Sequence, residues 1–193
     1  MSTRDIARAA VRAELAHVAF DLFRQEGFDQ VTVNDIAAAA GVSRSTFLRY
    51  FSSKEEAVLG AFDAQGEQVA DALRARPADE DDWTALRRAL DLLTQHYHQD
   101  PHGTLAMARL VHGTPALCAR QLRKQSVWRP LLAAALAARH GGRSSRSEGL
   151  RHAVLAAAAI DCLNVAVDTW TSSDGKLDLK TLVDDAFNVL QPR

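Results

Sequence analysis

Cysteine is scarce in this chain, with two in 193 residues, and so are proline, with five, and aromatics, at 6%. Cys118 and Cys162 stand in a chain without an export signal, which excludes a disulfide framework and makes them reduced core thiols. Stretches of alternating apolar and polar residues are almost missing, which excludes a sheet protein. The strictly apolar runs, such as Ala153 to Ile160, are far shorter than the ~20 residues a membrane span needs. The start, MSTRDIARAAVRAEL, mixes charges into a helical pattern and lacks the apolar stretch of a signal peptide, so a cytoplasmic protein with no membrane partner is expected. A glycine-rich phosphate loop and a nucleophile–base–orienter set are also lacking, which argues against an enzyme and against a cofactor. His96, His98 and His102 cluster in sequence, but two of them face different sides of a helix and Pro101 intervenes, so no metal site is expected there.

Charge is unevenly spread. Formal net charge is -1, yet residues 101–147 hold eight bases and no acid, while residues 55–100 hold eleven acids against four bases. Two readings fit the acid-free stretch. Its arginines pair with the acidic segment before it or sit in solvent, or some of them line the site of an anionic ligand.

What the chain has in abundance is helical periodicity. Apolar residues recur at spacings of three and four nearly throughout, giving an all-α fold of about nine helices. Val11, Leu15, Val18, Ala19, Leu22 and Phe23 mark the first, which Gly27 ends. A fourth helix is expected over about 53–74. Asp79 to Asp82 cap a fifth that begins near Trp83. Asp100-Pro101 and Thr114-Pro115 each place a cap before a proline at the first helical position. Pro130 predicts a kink or a split in the seventh. Gly141-Gly142 ends that helix, and residues 143–147 form a polar loop. The eighth is expected from about Glu148 to Thr171, and Leu179, Leu182, Val183, Ala186, Phe187 and Leu190 stripe the ninth.

The most informative segment is TVNDIAAAAGVSRSTFLRYFSSK, Thr32 to Lys54. Thr32 is a good N-cap and Asp35 completes a capping-box-like start. Ile36, Ala37 and Ala40 give a small apolar face, and Gly41 suits a left-handed C′ position. Val42 plugs the turn and Ser43 caps the next helix. On it Phe47 and Phe51 point inward and leave Arg44, Ser45, Arg49 and Tyr50 outside. Between Asp35 and Glu55 there is no acid, whereas Arg44, Arg49 and Lys54 are cationic, as a phosphate-facing surface requires. These are the features of a helix-turn-helix that enters a DNA major groove.

The run GVSRSTFLRYFSSKEE, Gly41 to Glu56, resembles the signature of TetR-type transcriptional regulators, and the close likeness covers about residues 8 to 60. One departure is Leu48, where the family commonly carries a tyrosine that touches phosphate. The resemblance implies a DNA-binding domain at residues 1–52, three helices with a helix-turn-helix, on a helical ligand-binding and dimerisation domain at 53–193. It implies a homodimer built as a four-helix bundle from the last two long helices, acting on a palindromic operator in double-stranded DNA. A repressor released by an unidentified small-molecule effector is the mechanism carried by that likeness; control by a protein partner, or no inducer at all, is the alternative. Arg44, Ser45 and Thr46 are best placed for base edges, and Thr32, Ser43, Tyr50 and Lys54 for phosphates, with Arg49 suited to either.

Within the body, the eighth helix is rich in alanine, and Ala153, Ala157 and Ile160 together with Leu182 and Phe187 of the ninth are candidates for the dimer interface. Asp161, Asn164 and Asp168 share one stripe of that apolar helix and either bond across the interface, reach solvent or line a cavity. Met107, Trp128, Leu131 and Cys162 are candidate apolar walls of such a cavity, or plain core.

Overall fold

A computed structural model describes residues 3–142 and 145–191, and within them the backbone but not the side chains of residues 61–63, 96, 98 and 99. All regular structure among the described residues is helical: α1 (Thr3–Glu26), α2 (Val33–Ala39), α3 (Arg44–Tyr50), α4 (Lys54–Leu59), α5 (Ala61–Arg74), α6 (Asp82–Ala89), α7 (Asp91–Gln99), α8 (Pro101–Gly113), α9 (Pro115–Arg139), α10 (Arg146–Ser172) and α11 (Leu179–Val189). The expected nine rods are recognisable, with two of them interrupted at single residues. The rod over 53–74 breaks at Gly60 and the one after Asp81 breaks at Leu90, both of which keep right-handed helical angles.

The chain forms two compact units. One comprises Met1–Ala61 with Leu110–Arg120, the other Phe62–Arg109 with Gln121–Arg193. The first therefore extends past the expected boundary at residue 52 and also takes in the end of α8 and the start of α9.

In the first unit α1 buries Leu15, Ala19 and Phe23 and packs on α2 and α4, and Ile36, Ala37, Phe47 and Phe51 are buried as well. Val11, expected on that face, is exposed. Gly27 takes a left-handed φ of 89° and stops α1. Val111 and Leu117, from the two sides of the α8–α9 turn, are buried here as well.

In the second unit α10 is the central rod. Ala156, Ala159, Ile160, Leu163, Ala166 and Val167 form its buried face, and alanine lets α6 and α11 approach closely. Trp83 of α6 packs against Phe187 of α11, the rings tilted by 31° with centroids 4.3 Å apart, and donates its Nε1–H to the Phe187 carbonyl at 3.1 Å. Asp81 caps α6 through the N–H groups of Trp83 and Thr84. Ser145 and Glu148 form a capping box that starts α10 earlier than the sequence suggested. Helix α9 runs unbroken through Pro130 instead of splitting. Pro130 is exposed, so the Ser126 carbonyl that lacks its N–H donor faces the water side. Of the polar loop at 143–147, residues 143 and 144 lie outside the described residues. By length and composition α10 could cross a bilayer. Its buried face packs on α6 and α11, however, and Asp161 and Asp168 lie on its exposed side.

Candidate nucleic-acid interface

The turn between α2 and α3 is built as its residues require. Thr32 accepts from the Asp35 backbone at 3.3 Å, while the Asp35 carboxylate accepts from the Thr32 N–H at 2.8 Å. The Thr32 hydroxyl and backbone hold the Asp35 carboxyl below its usual 3.8, so it stays ionised at the positive end of α2. Gly41 adopts φ 65°, and the Val42 N–H reaches back to the Ala37 carbonyl at 2.9 Å. Ser43 then caps α3, its Oγ accepting from the Thr46 N–H at 3.1 Å.

Helix α3 is anchored on one side and open on the other. Phe47 and Phe51 are buried with centroids 5.5 Å apart. Ser43, Arg44, Ser45 and Arg49 are exposed, and Thr46 and Tyr50 are half-buried. Leu48 lies on the exposed side, 37% accessible, where it offers methyl groups in place of a hydroxyl. The outward face thus carries two guanidinium groups and two hydroxyls on a short, capped helix, a set able to donate to base edges and phosphates alike.

Two cations lie behind this face, and one of them departs from expectation. The Lys54 Nζ donates to the carbonyls of Phe28 at 2.6 Å and Val31 at 2.9 Å and sits 4.3 Å from the Phe28 ring centroid. It closes the loop between α1 and α2, which leaves one N–H for a phosphate. Lys54 is therefore chiefly a staple. Arg12 was not singled out by the sequence. Its Nη1 donates to the Tyr50 carbonyl at 3.0 Å, capping the end of α3, and its guanidinium lies 4.6 Å from the Phe51 ring centroid. A Cβ at Gly60 would lie 2.4 Å from the Arg12 Nη2, so the glycine at the α4–α5 break makes room for that side chain. Glu56 completes the group: Arg12 lies 3.7 Å from one oxygen, and Arg120, at the start of α9, donates to the other at 3.1 Å.

Of the candidate ligand residues, Trp128 and Cys162 belong to the core cluster of the second unit and Leu131 packs against it. Trp128 is buried against α5, where a Cβ at Gly66 would lie 2.5 Å from its indole. Cys162 is buried and its thiol approaches the Ala186 carbonyl at 3.6 Å; burial pushes that thiol up. Asn164, at the half-buried edge of the stripe, accepts from Gln125 Nε2 at 2.9 Å, while Asp161 and Asp168 are exposed. Met107 and Leu131 are half-buried. A pocket of about 290 Å³ lies elsewhere, lined by residues of α6, α7 and α11 that include Trp83, Arg87, Arg88, Lys180, Asp184 and Phe187. Arg87 is engaged there by Asp184 at 2.6 Å and Asp91 at 2.7 Å.

Among the interface candidates, Ile160 and Phe187 are enclosed in the subunit's own core, Ala157 and Leu182 are half-buried, and Ala153 is exposed. The exposed large apolar residues on α10, among the described residues, are Leu150, Val154 and Val165. Three arginines of the acid-free stretch lie beside acids: Arg120 pairs with Glu56, Arg109 with Asp174, and Arg139 lies 3.9 Å from Asp82. Of the clustered histidines, the side chains of His96 and His98 lie outside the described residues.

Comparison with known proteins agrees with this geometry. The regulator TcmR of Streptomyces glaucescens is 38% identical over 67% of this chain, which spans 60% of that protein's length. The Mycobacterium tuberculosis protein named as mycofactocin biosynthesis transcriptional regulator MftR is 32% identical over 72% of this chain and 70% of its own. The fold matches FadR of Thermus thermophilus, solved with lauroyl-CoA, at a TM-score of 0.60 and 22% identity over 94% of this chain and 96% of that one. It also matches FadR of Bacillus subtilis, solved with stearoyl-CoA, at 0.59 and 18% over 92% and 96%. Residues 15–59 match the family described as bacterial regulatory proteins, tetR family, and residues 80–193 match the MftR C-terminal domain, so the chain belongs to the TetR family of transcriptional regulators.

Proposed function

We propose that this protein is a homodimeric repressor that holds a palindromic operator through two copies of α3 and leaves it when a small molecule binds the body. The observation that carries this reading is α3 itself, capped at both ends, anchored by Phe47 and Phe51, and presenting Arg44, Ser45 and Arg49 to solvent. One short helix reads few bases, and a two-fold dimer reads two half-sites at a spacing its own geometry sets. Supporting a dimer, Leu150, Val154 and Val165 form an exposed apolar stripe on α10 at 58–67% accessibility, and Val189 and Leu190 are exposed at the end of α11. Asp161 and Asp168 share that α10 face and belong at the rim of the interface, where charge keeps its water.

For the effector, the two acyl-CoA complexes among the structural neighbours suggest a long-chain thioester as the first compound to test. A ligand acts only if it binds the DNA-incompetent state more tightly. Helices α8 and α9 each run from one unit into the other, and Arg120 of α9 pairs with Glu56, which gives a covalent route by which a change in the body reaches the first unit. The second reading, control by a protein partner or by no inducer, is favoured by one observation: Trp128 and Cys162 fill the core instead of lining a cavity. Fluorescence anisotropy of a labelled operator duplex, with lauroyl-CoA added to the complex, separates the two. Release at micromolar ligand supports the small-molecule reading, and an unchanged complex with the whole acyl-CoA series favours the second.

A further inference from the structure

Three helices of the second unit bring an acid and two histidines to one point. Asp82 opens α6, His140 follows the last turn of α9, and His152 lies in the second turn of α10. One donor atom from each lies within 4.8 Å of the others. His140 Nε2 stands 2.8 Å from Asp82 Oδ1, and the two imidazoles are nearly parallel, 7° apart in plane with centroids at 5.8 Å. Asp82 and His152 are 4% and 3% exposed. The Nδ1 of His152 is buried with no hydrogen-bond partner among the described residues, a costly state that in native proteins calls for a bound ion or a fixed water.

We propose that Asp82, His140 and His152 form a binding site for a divalent transition-metal ion of the zinc class. Two imidazoles and one carboxylate are donors for such an ion and a poor set for magnesium or calcium, which take oxygen. Donors at the usual zinc distances stand about 3.3 Å apart in a tetrahedral arrangement, so the Asp82–His140 pair is close to ready and the third donor must move inward. His140 is the ring free to do this, being half exposed and followed by Gly141 and Gly142, both at positive φ. Three protein donors leave a position for water, which is the form of an exchangeable site.

The surrounding charges set its strength. Arg151 donates to the other oxygen, Oδ2, at 2.6 Å and so orients the carboxylate, as outer partners of metal ligands do. Arg139 lies 3.9 Å from Oδ1 and donates its terminal N–H groups to the carbonyls of Arg76 and Glu80. Both guanidinium groups oppose a second cation. Against them stand Glu80, which pairs with Arg76 and Arg88, and Glu148, whose carboxyl is held down by the Ser145 backbone and hydroxyl and by the nearby histidines.

The full-length protein, stripped with chelator and dialysed, is titrated with zinc chloride by calorimetry and with cobalt chloride by its visible d–d absorption. One ion per chain is expected, with cobalt bands of a low-symmetry site. His140→Ala and His152→Ala are each expected to weaken binding by more than about tenfold. His140 is half exposed, so His140→Ala keeps the test valid if His152→Ala fails to fold. The absence of saturable binding in the wild-type protein overturns the proposal. So does zinc binding of unchanged affinity in His140→Ala, which places the ion on other histidines.

Discussion

Arg44 stands in the first turn of α3, exposed and in no ion pair among the described residues, and it is given a base edge to read. Arg44→Ala is expected to cost about 1–3 kcal/mol on the operator and little on random duplex. Equal losses on both, measured by anisotropy, would return Arg44 to the phosphates. Lys54 differs because its charge already serves two carbonyls. Lys54→Ala is expected to lower unfolding stability by about 2 kcal/mol, and to flatten the salt dependence of DNA binding by no more than about one ion. An unchanged urea midpoint would contradict the staple. The contrast marks what a sequence makes legible. Thr32, Asp35, Gly41 and Ser43 act within three residues of themselves, so their caps and turn could be read directly. Arg12 and Lys54 act on carbonyls 38 and 26 residues away, and pairings across that distance have no local signature.

At the scale of elements, caps and breaks were readable and partners were not. Asp100 and Thr114 begin helices at the positions their types predict. The breaks at Gly60 and Leu90 were missed. Gly60 is set by the Arg12 guanidinium packed beside it, and the Trp128 indole likewise explains Gly66. Gly66→Ala is expected to displace that indole and cost about 1–3 kcal/mol, read as a lower thermal midpoint; a neutral effect would mean that α5 can withdraw. The start of α6 carries a pH dependence. The Arg76 side chain holds Glu80 down, and Thr84 and Trp83 hold Asp81 down. For Asp82 burial acts upward, but hydrogen bonds from His140 and Arg151 more than offset it. Carboxyls depressed in the folded state contribute stability above their ordinary values of 3.8 and 4.5, and that contribution is lost as pH falls through the lowered folded values. The urea midpoint should therefore be flat down to about pH 5 and fall steeply below about 4. Asp82→Asn should shorten the fall; an identical acid limb would show that Asp82 contributes nothing to it. The Asp82–His140–His152 group was invisible in sequence because its members lie on three helices, Asp82 and His140 being 58 residues apart.

The whole molecule joins a DNA-reading unit to a helical body, and its family was legible from Gly41 to Glu56 while its ligand chemistry was not. Packing decides the latter: Trp128, Cys162 and Asn164 looked available on the helices that carry them, and each is taken up by a neighbour within the body. The dimer is tested through the exposed α10 stripe. Val154→Asp places a charge on the face proposed to be buried in a dimer, so light scattering should report a monomer that keeps its helical spectrum. A dimer of undiminished stability would move the interface elsewhere. The most direct measurement for the central claim is a titration of the protein against DNA from its own upstream region beside a random duplex, at two salt concentrations. The account predicts a dimer that prefers the upstream duplex by at least about a thousandfold and weakens steeply as salt rises. Equal and feeble binding to both duplexes, with Arg44→Ala no different from wild type, would contradict it.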